Sequence, residues 1–127
     1  MTLTRLAPVG LSLAFLLWGA AGAGAHAFLE RADPRVGSTV RSSPAQVKLW
    51  FTESLEPTFC SVQVVNEAGK RIDKDDSQVD PSNLALLRIS LPSLTLGTYK
   101  VIWRVLSVDG HVTEGDFTFR IRPVTDR

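Results

Sequence analysis

The chain has 127 residues, with 14 Lys plus Arg against 13 Asp plus Glu, and one cysteine. This balance, with no basic run or stripe, argues against a nucleic-acid surface. A lone cysteine excludes an internal disulfide framework, so the fold must hold itself together by packing.

The first 25 residues have the layout of an export signal. Arg5 supplies a positive start, residues 11–18 are apolar, and small residues then end in Ala23-Gly24-Ala25, an A-x-A cleavage pattern. An uncleaved anchor is the competing reading, because residues 6–25 carry no charge and have the length of a membrane span. The weakly apolar Ala/Gly half, with no Lys or Arg cluster after it, favours cleavage after Ala25. Residues 1–25 are therefore expected to be a signal peptide and residues 26–127 one domain, large enough to bury a core. His26 would then be the first residue of the mature protein, with no stable membrane insertion once processed. The only methionine, Met1, leaves with the signal.

The remainder reads as all-β. A short first strand is expected over residues 28–30. Val47, Leu49 and Phe51 alternate with polar residues, as do Val62 and Val64. Residues 84–89 are more continuously apolar. Tyr99, Val101, Trp103 and Val105 form another alternating run, and Phe117, Phe119 and Ile121 form the last. Between them lie turn residues: Asp33-Pro34 to Gly37-Ser38, Ser42-Ser43-Pro44, a hairpin turn at Glu67-Ala68-Gly69-Lys70, and Leu91-Pro92-Ser93. Residues 73–83 are polar and are expected to be a surface loop. Six or seven short strands predict a two-sheet antiparallel sandwich with Greek-key connections. A small open barrel is the alternative. Leu49, Phe51, Val62, Val64, Trp103, Val105, Phe117 and Phe119 are the expected core.

Only two histidines exist, His26 and His111. His111 closes Ser107-Val108-Asp109-Gly110-His111. Residues two apart in extended backbone share a face, so Asp109 and His111 would point the same way, with Gly110 permitting close approach or a bend. Alone, Asp109-Gly110 reads better as an ordinary turn, with His111 an ordinary polar residue. His26 adds weight. As a first residue it offers an α-amine, with an ordinary pKa of roughly 7.7–8.0, beside its ring nitrogen, which makes a chelate. Adding nitrogen from His111 and oxygen from Asp109 gives an N,N,N,O set. That set suits Cu(II), then Ni(II), better than Zn(II). The opposing reading of His26 is a frayed terminus without a fixed role.

Several stretches, in order, resemble the CopC family of periplasmic copper-binding proteins. They are His26-Ala27-Phe28-Leu29, Asp33-Pro34-Arg35-Val36-Gly37, Leu49-Trp50-Phe51-Thr52-Glu53, Leu96-Gly97-Thr98-Tyr99-Lys100-Val101, Trp103-Arg104-Val105, Ser107-x-Asp109-Gly110-His111 and Gly115-x-Phe117-x-Phe119. The resemblance implies an Ig-like or cupredoxin-like β-sandwich in the periplasm with one Cu(II) site. His26 would supply amine and ring nitrogen, His111 an imidazole and Asp109 an oxygen. Glu53 matches a carboxylate near or on the metal in some relatives; a solvated acid at a strand end is the alternative. Tyr99 and Trp103 read as packing residues. The chain departs from members that hold Cu(I) in a Met-rich loop, since residues 26–127 have no methionine. Cys60, in phase with Val62 and Val64, reads as a buried inert thiol. Position 112 is Val where many relatives have Pro.

The leading function is a non-enzymatic protein that holds, buffers or delivers copper, with an inner-membrane transporter of the CopD type as the implied partner. A copper-dependent oxidative enzyme of the histidine-brace type is the alternative. Against it stand the short mature chain and a carboxylate that would occupy a position an oxidant needs. An Ig-like interaction module with idle histidines is a third reading.

Overall fold

A computed structural model of the chain describes residues 27–123. The proposed signal peptide, residues 1–25, and His26 lie outside the described residues. Eight strands are described: β1 (Leu29–Asp33), β2 (Thr39–Val40), β3 (Gln46–Phe51), β4 (Ser61–Val65), β5 (Gln78–Asp80), β6 (Asn83–Ser90), β7 (Gly97–Leu106) and β8 (Val112–Ile121). They form two four-stranded sheets, ordered β1-β3-β6-β5 and β2-β8-β7-β4. Only β5–β6 and β7–β8 are consecutive neighbours in one sheet. The other links cross between sheets, as expected of a Greek-key sandwich.

The core follows from the period-two pattern. Val47, Leu49 and Phe51 on β3 and Leu87 and Ile89 on β6 face Val62 and Val64 on β4, Tyr99 to Val105 on β7, and Phe117 to Ile121 on β8. All eight residues expected inside are buried. Phe51 meets Trp103 edge-on at 5.1 Å, and Tyr99 stacks on Phe119 at 5.7 Å. Gly115 lies opposite Trp103 in the β7–β8 ladder. A Cβ there would fall 2.6 Å from Trp103 Cζ2, so the glycine makes room for the indole.

Four expectations change. The first strand runs over Leu29–Asp33, because Ala32 is the buried residue and Phe28 is exposed. The stretch 73–83 is not wholly loop. Val79 is buried opposite Leu87, which makes β5 an edge strand. One apolar residue in a polar run leaves no alternation to read. Strand β2 runs parallel to β8, so that sheet is mixed; two residues are too few to show a period. In the apolar run of β6, Leu84 is exposed, while Leu86 lies opposite Trp50, whose ring carries the Arg31 guanidinium at 3.7 Å.

Candidate metal centre

Strands β7 and β8 stay in register up to Leu106 opposite Val112, and residues 107–111 close the link. Ser107 N–H donates to His111 O at 3.0 Å, and Gly110 N–H donates to Ser107 O at 2.9 Å. Gly110 has φ +95°, a region that side chains rarely adopt. The backbone is thus a tight turn and not an extended strand. Asp109 and His111 come together through the bend at Gly110, not through the pleat.

Their side chains meet. Asp109 Oδ1 lies 3.2 Å from His111 Nδ1 and accepts from His111 N–H at 3.3 Å. The same oxygen accepts a hydrogen bond from the Ser107 hydroxyl. Both donor side chains are about half exposed, 41% for Asp109 and 48% for His111. The Ser107 hydrogen bond is the main reason the Asp109 carboxyl is held below the ordinary carboxylate range. Burial opposes it, and His111 adds to it. The pair therefore presents an ionised oxygen and an imidazole to solvent, a borderline-hard set that accommodates a divalent transition ion.

Three chain segments converge on this turn. Val108 N–H donates to Ser54 O at 3.0 Å, and Leu55 bridges to Ser107. Thr52 holds Phe28 twice: its N–H donates to Phe28 O and its hydroxyl accepts from Phe28 N–H, each at 2.9 Å. Thr113, on β8, donates its hydroxyl to Ala27 O at 2.8 Å, and Ala27 is fully buried. The first described residue is therefore fastened two positions beyond His111. Thr52 and Thr113 carry this placement and were missed from sequence; a threonine just after a strand or within one carries no sign of a partner 24 or 86 residues away.

Glu53 lies in the 52–54 segment at the same end and is exposed. Among the described residues, no group of three His, Cys, Asp or Glu that could hold a metal ion is found. His26 falls outside the described residues. Cys60 is buried as expected. Its thiol donates to Glu56 O at 3.2 Å, with Leu106 O at 3.6 Å as a second acceptor in reach, and burial pushes its pKa up. It braces the 55–60 loop against the end of β7.

Five of the seven large exposed apolar side chains among the described residues belong to segments at this end: Phe28, Phe59, Leu84, Val108 and Val112. Backbone hydrogen bonds from Leu55 to Leu84 and from Glu56 to Leu106 tie their loops together.

Comparison with known proteins shows the family. The CopC domain matches residues 29–122. "Copper resistance protein C" of Pseudomonas syringae pv. tomato is 33% identical over 130 residues, covering 96% of this chain and all of that protein. "Copper transport protein CutJ" of Bacillus subtilis is 33% identical over 98 residues; the match covers 76% of this chain but only 18% of that protein's length. Among solved structures, CopC from Methylosinus trichosporium OB3b superposes with a TM-score of 0.73 at 33% identity, covering 80% of this chain and 99% of that one. PcoC of Escherichia coli, described as a methionine-rich copper resistance protein, gives 0.67 at 27% identity, covering 77% and 100%. With this match spanning both sheets and the Asp109–His111 turn, the chain belongs to the CopC domain family.

Proposed function

We propose that the exported, processed chain is a periplasmic Cu(II)-binding protein. It holds one ion through the α-amine and ring nitrogen of His26, an imidazole nitrogen of His111 and an oxygen of Asp109. It buffers or delivers the ion and does not turn over a substrate. The observation that carries the reading is the attachment of Ala27 to Thr113, two residues from His111. That bond fastens the start of the described chain to β8, the strand that begins directly after His111. The donor chemistry agrees. Residues 26–127 contain no thioether, and the one thiol is buried, so soft Cu(I) ligation has no donors here.

The apolar collar around the turn supports a partner that meets the protein at its metal end, of the CopD inner-membrane transporter type. In the Bacillus relative, the matching segment is a small part of a much longer protein named for copper transport. Two measurements test the reading. Mass spectrometry of exported protein should give a chain starting at His26, and titration of that chain should saturate at one Cu(II). A chain starting elsewhere, or no saturable Cu(II) uptake, would contradict it.

A further inference from the structure

We propose that Ser107 is a positioning residue of the copper site, holding the Asp109 carboxylate in place for the ion; this rests on the copper-binding reading above. Ser107 is fully buried, with 0% exposure. A buried hydroxyl needs a hydrogen-bond partner. Two acceptors lie within reach of the Ser107 hydroxyl: the His111 carbonyl O at 3.4 Å and, nearer, the half-exposed Asp109 carboxylate at the surface. The hydroxyl donates to Asp109 Oδ1, and the same oxygen also faces His111 N–H and Nδ1.

The Ser107 backbone is fixed independently of that bond. It bridges to Leu55, donates its N–H to His111 O and accepts from Gly110 N–H. The hydroxyl therefore projects from a rigid base. All three contacts on the carboxylate fall on Oδ1, so the rotation of the Asp109 side chain is set from below, by Ser107, and from the side, by His111. A carboxylate already oriented loses less freedom when an ion arrives. Loss of such an outer partner typically weakens metal binding by about 10–100-fold. The orientation of the Asp109 carboxylate is thus set in part by a residue that need never touch the metal.

The test is a double-mutant cycle on Cu(II) affinity in the processed protein, using Ser107→Ala, Asp109→Ala and the double variant, with spin-resonance spectra of each loaded form. Ser107→Ala should weaken Cu(II) binding by about 10-fold or more and change the copper spectrum. In the Asp109→Ala background, the Ser107 change should have no further effect. Ser107→Gly, which also removes the hydroxyl but adds no copper ligand, covers the case in which the alanine variant fails to fold, and it should show the same coupling. Unchanged affinity in the Ser107 variants, or an equal loss with and without Asp109, overturns the positioning role while leaving the copper reading intact. Failure of the wild-type chain to take up Cu(II) overturns the reading on which the proposal rests.

Discussion

At the scale of single residues, charge and exposure separate the parts played in the turn. Asp109 is ionised more readily than an ordinary carboxyl, mainly because of the Ser107 hydroxyl. A depressed pKa contributes stability above the ordinary aspartate value of about 3.9, and that contribution is lost as pH falls through the lower, folded value. The carboxyl carbon shift of Asp109 in the metal-free protein should therefore titrate below the range of exposed aspartates. A midpoint at the ordinary value would contradict the hydrogen-bonding described here. His111 is half exposed. His111→Ala should weaken Cu(II) binding strongly yet change stability by no more than about 0.5 kcal/mol. Calorimetric titration and a urea melt check both halves; wholesale unfolding would give His111 a structural role instead.

At the scale of elements, the long alternating strands were legible and the short or polar ones were not. Strands β3, β4, β7 and β8 put their apolar residues inside as the period required, because each carries two or more buried side chains in phase. Strand β5 was hidden, since Val79 alone faces inward. Asp73, read as part of a surface loop, has a fully buried carboxylate that accepts from Val64 N–H at 2.7 Å, from Arg71 and from Asp75 N–H. It thus occupies a backbone donor on β4, the edge strand of its sheet, and no residue pattern announces such a bond. Asp73→Ala should cost about 1–3 kcal/mol in a urea melt by stranding that donor. Gly115→Ala forces a methyl into the Trp103 ring and should cost about 1–3 kcal/mol with a change in tryptophan fluorescence. Near-neutral melts for either variant would contradict these contacts. The donor pair was legible as Asp109-Gly110-His111, but the reason its members meet was not. A turn and a strand look alike at two-residue spacing until the φ of Gly110 is known.

For the whole molecule, the sandwich gathers three distant segments at one end: Ala27 and Phe28, residues 52–54, and the turn before β8. The fold is in this sense a device for closing a long loop of chain onto a short one. The exposed collar around that end leads to a prediction about exchange. Replacing Phe59 and Val108 by Ser should slow copper delivery to a membrane transporter while leaving Cu(II) affinity and the melting temperature near wild type, since both side chains are exposed. Unchanged delivery would remove the collar from the account. The central claim is that processing creates a ligand at the chain's new start. It is tested most directly by comparing Cu(II) affinity for the protein beginning at His26 with that for one carrying a single extra residue before it. The account predicts that the added residue weakens binding by orders of magnitude, because the amine no longer belongs to the histidine; equal affinity in the two proteins would contradict it.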